Sequence, residues 1–300
     1  MSSEAAASPD SSATASYRGR FAPSPTGPLH LGSLLAALGS YLDARAHNGR
    51  WLIRIEDIDP PRESPGASRA ILDSLSAHGL ESDEPVLFQS SRLREYETAV
   101  ERLLAAGEAF YCSCSRQELS AAGGRHASHC TQSAEFPDRP VSVRYRCTGA
   151  LLRHRDFLVG APTPAAPEDS FVIKRKDGLY AYHLAVVVDD ALQRITHVVR
   201  GRDLLESTPL HITLQRALGL PTPHYGHLPL LLSTDGQKLS KQNLARALDD
   251  RTATDNLRLC LRALGQPDPP ELRCDALLRW AATHWERARV PARDTVLAPA

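Results

Sequence analysis

Two short stretches of this chain carry residue types suited to binding phosphate. In RFAPSPTGPLHLGS, residues 20–33, three prolines stiffen a turn and a helix is expected to begin near His30. A helix N-terminus offers free N–H groups and a positive dipole end, Gly32 would allow close approach, and His30 would add a donor. An ordinary strand–turn–helix with a capping histidine explains the same residues. Further along, DGQKLSKQN, residues 235–243, places two lysines around Ser240 and is either a phosphate-facing loop or a solvated turn.

The segments that must position these loops alternate between strand-like and helix-like patterns. We predict a strand in 17–24, a helix over 30–47, a strand in 51–57, and helices around 70–78 and 93–104. After Tyr111 the alternation stops. It resumes with three strand candidates: SFVIKR at 170–175, YHLAVVVDDAL at 182–192 and ITHVVRGRD at 195–203.

This alternation is typical of an α/β fold with a parallel sheet and crossover helices. The break suggests one α/β domain, made of 17–111 and 171–245, into which a small subdomain, 112–170, is inserted. Residues 246–300 are predicted to form a short helical C-terminal region. The small polar residues of 1–16 are typical of a disordered tail.

The charge balance argues against a global polycation. The chain has 35 basic and 35 acidic side chains, so any contact with nucleic acid must come from a local patch. No apolar run approaches the roughly 18 residues that would suggest a membrane span. The first sixteen residues contain no basic side chain, so we expect neither a signal nor a transit peptide. We therefore expect a cytoplasmic protein with no membrane partner.

The two phosphate-type loops, in this order, resemble the signature motifs of class I aminoacyl-tRNA synthetases. HLGS is similar to their HIGH motif, and KLSKQ is similar to their KMSKS motif. RIEDIDPPR, YHLAVVVDD, ITHVVRGRDLLESTP and YGHLPLLLSTDGQKLSK extend the resemblance from Tyr17 to Ala245, to the glutamate-specific branch. The APS at 22–24 favours glutamate over glutamine. The resemblance implies a Rossmann-like catalytic domain, with Mg²⁺ brought by ATP rather than held in a protein cage.

The same resemblance implies individual roles. His30 and Lys241 would be catalytic, and the residues expected to bind ATP are His30, Gly32, Ser33, Lys238, Ser240 and Lys241. Ser33 stands where the family has its second histidine. The residues expected to bind L-glutamate are Arg20, Ala22, Ser24, Glu56, Tyr182 and Arg200. Glu56 would face the ammonium group, and a guanidinium can hold a carboxylate through two parallel hydrogen bonds. Surface salt bridges are the alternative for the charged residues, and Asp57 is expected to be structural.

The insertion contains a possible metal site. A histidine four residues before a cysteine lies on the same helical face, which pairs His126 with Cys130. Cys112 and Cys114 complete three sulfurs and one imidazole, a closed tetrahedral set typical of one structural zinc ion per chain. His129 is a rival ligand, and free thiols are the alternative. The spacing also resembles a small zinc-bearing subfamily of these synthetases, whose third ligand is often tyrosine where this chain has His126. The other cysteines are expected in the core: Cys147, Cys260 and Cys274.

The length of chain after the lysine loop bears on the acceptor. Only 59 residues follow Lys241, too few for the anticodon-reading domain of ordinary glutamyl-tRNA synthetases. The chain resembles short relatives that activate glutamate without tRNA and attach it to queuosine, the modified wobble base in the anticodon stem-loop of tRNA(Asp). Two alternatives are a truncated enzyme that charges tRNA(Glu) and a non-catalytic binding module. We expect a monomer.

Overall fold

The computed structural model describes residues 16–123, 126, 130, 139–147, 154–160, 170–232 and 247–297. Four features singled out above lie outside these residues. They are the tail up to residue 15, the rival ligand His129, the loop residues Lys238, Ser240 and Lys241, and much of the insertion.

The described residues form strands and helices in alternation over most of the chain. The strands are β1 (Arg18–Phe21), β2 (Arg50–Ile55), β3 (Leu87–Phe88), β4 (Ala109–Cys112), β5 (Ser142–Arg146), β6 (Ser170–Lys174), β7 (His197–Gly201), β8 (His224–Leu228), β9 (Leu230–Leu232) and β10 (Thr295–Leu297). The helices are α1 (Leu31–Ala46), α2 (Ala67–Ala77), α3 (Leu93–Ala105), α4 (Arg116–Ala121), α5 (Tyr182–Leu192), α6 (Thr208–Ala217), α7 (Ala253–Ala263) and α8 (Cys274–Thr283).

Parallel pairing confirms the predicted α/β class. β1 pairs with β2, β2 with β3, and β7 with β8, each in parallel. β7 lies beside β1, where the N–H of Thr196 donates to the carbonyl of Arg18 at 3.0 Å. Helix α1 is the crossover from β1 to β2, and it buries the leucines that have helical spacing in the sequence: Leu34, Leu35, Leu38 and Leu42. The carboxyl ends of β1, β2 and β7 therefore meet at one edge, where ligands bind in folds of this kind.

The strand prediction for YHLAVVVDDAL is wrong, because this segment forms helix α5. Three consecutive valines favour a strand, but Val costs only about 0.5 kcal/mol more than Ala in a helix, and tertiary packing overrides that. Leu184, Val186 and Val187 are all buried, so the helix is apolar on several sides. The sequence therefore lacks the periodic pattern of polar and apolar residues that distinguishes a helix from a strand. Its eleven residues exceed the usual length of a buried strand, and this length is the feature of the sequence that favours a helix.

Strands β4, β5 and β6, which lie within or across the ends of the predicted insertion, form a separate antiparallel sheet. β4 ends at Cys112, β6 begins at Ser170, and β5 lies between them and pairs with both. Sequence periodicity did not indicate β5 or the short helix α4, whose N-cap Ser115 forms a capping box with Glu118. The division of the chain into domains stays a prediction.

The C-terminal region is helical in α7 and α8, as predicted, but it ends in an unpredicted strand. β10 pairs in parallel with β9, and Val296 lies opposite Leu231, where both side chains are buried. In the described part of the chain, no helix is both long and apolar enough to cross a membrane.

One buried carboxylate joins α1 to both ends of the described chain. Asp43 accepts hydrogen bonds from the hydroxyl of Tyr17 (2.5 Å), Nε1 of Trp285 (3.0 Å), and Nε and Nη2 of Arg287 (2.7 and 2.9 Å). Burial alone would raise the pKa of Asp43, but these donors hold it below its usual value. The stabilisation is therefore present at neutral pH and is lost as the pH falls through that lowered pKa.

We predict that Asp43→Ala lowers the free energy of unfolding by about 3 kcal/mol, because it leaves buried donors and a cation unpaired. The matched control is Asp73→Ala, which removes an exposed pair with Arg69 and should leave the free energy of unfolding nearly unchanged. Urea denaturation of both variants measures the difference. Equal small losses in the two variants would contradict the role assigned to Asp43.

Candidate active site and metal centre

Two adjoining cavities lie at the carboxyl ends of the parallel strands. The first, of about 310 Å³, is lined by residues that follow β1, β7 and β8 and by the start of α1. The second, of about 840 Å³, is lined by residues that follow β1 and β2 and by the start of α5. Ser24 and Thr26 line both cavities, so the turn after β1 separates two compartments that share a wall.

The first cavity contains the residues predicted to face phosphate. His30, Gly32 and Ser33 line it. His30 is also the N-cap of α1, where its Nδ1 accepts from the N–H of Ser33 at 3.1 Å, and Nε2 lies 3.1 Å from the Ser33 hydroxyl. The capping alternative and the cavity-facing position are therefore both realised. Because Nδ1 is an acceptor, the neutral ring carries its proton on Nε2.

Behind the second cavity lies a buried network of ions. Asp190 accepts from Nε and Nη2 of Arg20 at 3.1 and 3.4 Å and from Nη1 of Arg54 at 2.8 Å. Nη2 of Arg54 also donates to Glu56 at 3.3 Å. The side chain of Arg54 is fully buried, and those of Asp190 and Glu56 are each about 95% buried.

The network affects the two carboxylates differently. Burial raises the pKa of Glu56, and Arg54 and Arg20 offset only part of that rise. Burial also acts on Asp190, but the same two guanidinium groups hold the pKa of Asp190 below its usual value. Asp190 is thus ionised within the network, whereas a further cation beside Glu56 would lower the pKa of Glu56 and stabilise its ionised form.

Arg200 is held by a second set of contacts at the end of β7. Its Nη1 donates to the hydroxyl of Tyr182 (3.2 Å), and its Nη2 donates to the carbonyl of Leu204 and to the hydroxyl of Thr208 (2.9 Å each). Its Nε donates to Nε2 of His227 at 3.0 Å. The contacts fix the plane of the guanidinium without neutralising it, since each of these partners is uncharged.

The structure brings most of the predicted glutamate-binding residues to one place. Glu56, Tyr182 and Ser24 line the second cavity. Arg20 and Arg200 do not line it; they lie behind it and contact Asp190 and Tyr182. Ala22 is half-buried and lines neither cavity. Asp57, expected to be structural, accepts from the N–H and hydroxyl of Ser90 at 2.9 and 2.6 Å.

One of the buried cations near the second cavity, Arg200, has uncharged hydrogen-bond partners. Asp190 pairs with Arg20 and Arg54, Glu56 pairs with Arg54, and Asp156 reaches Arg200 through His227. A ligand with a second carboxylate would place an anion near the guanidinium of Arg200. A ligand with a single carboxylate and one ammonium group would leave a buried cation unpaired, which is costly.

Several residues of this site were missed by sequence reasoning. Arg54 had a signal, because an arginine within the apolar strand WLIRI must be paired when buried. Asp190 was hidden by the wrong strand prediction for its segment. His211 and His183 gave no signal; Nδ1 of His211 lies 3.3 Å from Arg200, and its Nε2 lies 3.1 Å from Nδ1 of His183. Burial and Arg200 lower the pKa of His183 to about 4, so both rings stay neutral near pH 7.

The four predicted metal ligands converge at the end of β4. The ligand atoms of Cys112, Cys114, His126 and Cys130 all lie within 4.8 Å of one another. The Cys112 sulfur is 3.3 Å from Nδ1 of His126, and the Cys114 sulfur is 3.3 Å from that of Cys130. These separations fit a tetrahedral ion with bonds of about 2.0–2.3 Å.

The surroundings of the cluster also suit a metal ion. Nε2 of His126 lies 2.9 Å from the hydroxyl of Ser170, which leaves Nδ1 as the ligand atom and fixes the ring. Burial and the neighbouring cysteines raise the pKa of Cys112 to about 12. A cation at the centre would reverse that shift, because a coordinating thiol loses its proton. This cluster could therefore hold a metal ion.

Comparison with known proteins agrees with this geometry. The family of class I tRNA synthetases for glutamate and glutamine (E and Q), catalytic domain, matches residues 16–264. The chain belongs to this family.

Several similar proteins of this family are named glutamyl-Q tRNA(Asp) synthetase. A Xanthomonas campestris pv. campestris protein named glutamyl-Q tRNA(Asp) synthetase is 51% identical, over 92% of this chain and 93% of that relative. One of the same name from Neisseria meningitidis serogroup B is 48% identical, over 94% of this chain and 100% of the relative. The glutamate-tRNA synthetase structure from Elizabethkingia anophelis aligns with a TM-score of 0.77 at 25% identity, covering 95% of this chain and 68% of that one.

We predict that the purified protein carries about one metal ion per chain and that Cys130→Ser removes it, because a hydroxyl is a poor substitute for a buried thiolate ligand. Cys274→Ser is the matched control, since Cys274 lies outside the cluster and contacts the hydroxyl of Thr254. Elemental analysis of the three proteins measures metal content. A wild-type protein without metal, or an unchanged content in Cys130→Ser, would contradict the assignment.

Proposed function

We propose that this protein activates L-glutamate with ATP and transfers it to queuosine in the anticodon loop of tRNA(Asp). The observation that carries the proposal is the 46–51% identity, over 92–94% of the chain, to relatives named glutamyl-Q tRNA(Asp) synthetase. The two adjoining cavities support it, because one offers donors for phosphate and the other is lined by Tyr182, whose hydroxyl contacts the buried guanidinium of Arg200. ATP, glutamate and tRNA as substrates make the cytoplasm the expected compartment.

The first step is formation of glutamyl-adenylate. A carboxylate oxygen of glutamate attacks the α-phosphorus of ATP, the bond to the bridging oxygen breaks, and pyrophosphate leaves. Negative charge on the phosphate oxygens needs positioned donors, and His30 at the start of α1 is placed to supply one. Lys241, with Lys238, is expected to close over the phosphates, and Mg²⁺ is expected to arrive with ATP.

Glutamate recognition would use the second cavity. The ammonium group would lie against Glu56, whose raised pKa falls back when a cation approaches. Tyr182 would present its hydroxyl, held by Arg200, to a carboxylate. The fixed positive charge of Arg200 would favour glutamate over glutamine, whose amide leaves that guanidinium without a carboxylate.

The second step joins glutamate to the nucleic acid. A hydroxyl on the cyclopentene ring of queuosine attacks the acyl carbon of the adenylate, the ester bond forms, and AMP leaves. Because Ser24 and Thr26 line both cavities, the acyl and phosphate ends of the adenylate would meet at the turn after β1.

The metal ion at the Cys112, Cys114, His126 and Cys130 cluster is proposed to be zinc, because three sulfurs and one imidazole form the usual set for structural zinc. Four protein ligands would leave no open position for substrate. The ion would therefore hold the end of β4 to the inserted segment rather than take part in the reaction.

We expect labelled glutamate, with ATP, to appear on tRNA(Asp) that contains queuosine and not on tRNA(Asp) that lacks it. Acid-precipitable counts on purified tRNA species measure the transfer, and tRNA(Glu) is the third substrate. Label on tRNA(Glu) alone would instead establish a charging enzyme and refute the proposed acceptor. No glutamate-dependent exchange of pyrophosphate into ATP would refute the activation step itself.

A further inference from the structure

A segment from the inserted region is anchored on strand β8 next to Arg200. Asp156 is completely buried, and its Oδ1 accepts from the N–H groups of Leu158 (2.9 Å) and Val159 (2.8 Å). The N–H of Phe157 donates to the carbonyl of Tyr225 at 3.0 Å. A Cβ on Gly226 would lie 2.6 Å from the Phe157 ring, so this glycine allows the segment to pack directly on β8.

The other oxygen of Asp156 determines the protonation of a histidine. Oδ2 lies 2.5 Å from Nδ1 of His227, which is itself fully buried. The hydrogen-bond donors around Asp156 outweigh the effect of burial and hold its pKa below the usual value. Asp156 is therefore a carboxylate, which can only accept hydrogen bonds. Burial keeps His227 neutral by lowering its pKa. Nδ1 must therefore carry the proton, which leaves Nε2 as an acceptor.

That acceptor is used by Arg200. Nε of Arg200 donates to Nε2 of His227 at 3.0 Å, and this contact holds one edge of the guanidinium. The opposite nitrogens donate to Tyr182 and Thr208. The direction of each hydrogen bond in the chain from Asp156 through His227 to Arg200 is thus set at the carboxylate.

We propose that Asp156 is a positioning residue for glutamate, acting through His227 to fix the orientation of the Arg200 guanidinium and of the Tyr182 hydroxyl that it holds. This inference rests on the proposed function, since it assumes that glutamate binds beside Tyr182. It assigns to the inserted segment a part in substrate affinity besides its packing on β8.

Asp156→Asn tests the direction of the bonds with little change in size. If the amide nitrogen faces Nδ1 of His227, the histidine must move its proton to Nε2, where it opposes the N–H of Arg200. If the amide oxygen faces Nδ1, the pair keeps its direction but loses the charge, and the two backbone N–H groups are left facing an amide nitrogen. Either arrangement disturbs Arg200, whereas the residues expected to bind phosphate, His30, Gly32 and Ser33, belong to α1 and its N-cap.

The measurement is glutamate-dependent exchange of pyrophosphate into ATP, which requires no tRNA. We expect Asp156→Asn to raise the KM for glutamate about tenfold or more, with the KM for ATP changed less than about twofold. Asp268→Asn is the matched control, because it breaks an exposed pair with Arg262 and should leave both values unchanged. His227→Gln should raise the glutamate KM in the same way. The KM for glutamate of the double variant should be no higher than that of the more impaired single variant, because both substitutions act through one contact.

The two alternatives give different results. If Asp156 only fastens the segment to β8, Asp156→Asn lowers Tm and the active fraction while the KM for glutamate stays within about twofold, which overturns the proposal. Phe157→Ala separates these effects, since it weakens the packing at Gly226 but keeps the carboxylate, and it should lower Tm without raising that KM. Should Asp156→Asn fail to fold, an unchanged KM in His227→Gln overturns the inference and a tenfold rise sustains it. Absence of glutamate-dependent exchange in the wild type is a separate failure, that of the proposed function.

Discussion

The pairing of Asp190 with two buried arginines is the interaction on which the rest of the candidate active site depends. Each charge removed from water costs several kcal/mol unless a partner compensates it, and Arg54 has no exposed atoms to relieve that cost. Asp190 compensates both Arg20 and Arg54, and so joins β1 and β2 to the end of α5. Tyr182 lies eight helical steps, or about 12 Å, before Asp190 on α5, so the position of Asp190 also determines where Tyr182 meets Arg200.

Other buried carboxylates attach the surrounding parts in the same way. Asp43 joins α1 to the C-terminal region, and Asp156 joins the inserted segment to β8. Asp189, next to Asp190, accepts from Gln89, Arg92 and Tyr96 and so joins α5 to α3. Apolar packing gives the elements their cohesion, but these directional contacts determine their positions relative to the two cavities.

The parts of the fold that could be predicted are those with local signals. Helix α1 has leucines at helical spacing and a stop at Gly49, and the strand containing Arg200 is apolar between polar ends. The cluster of Cys112, Cys114, His126 and Cys130 could be predicted because the spacing of its members is a property of short segments. These signals need no knowledge of what packs against them.

The parts that could not be predicted depend on contacts between distant segments. Helix α5 has the composition of a strand, and only burial against α3 and α6 makes it a helix. In an extended strand, Tyr182 and Asp190 would lie about 26 Å apart, so the strand prediction gave no reason to place them in one site. Asp156 lies 71 residues from His227, in a segment without periodicity, and no local pattern joins them.

The proposed preference for a ligand with a second carboxylate depends on the buried guanidinium of Arg200, whose hydrogen-bond partners are uncharged. The most direct test compares kcat/KM for L-glutamate and L-glutamine in the exchange of pyrophosphate into ATP. The account predicts a preference for glutamate of about 10⁴ or more, because the amide leaves a buried cation unpaired. A ratio within about tenfold would contradict it and would mean that the guanidinium groups maintain the fold without reading the substrate.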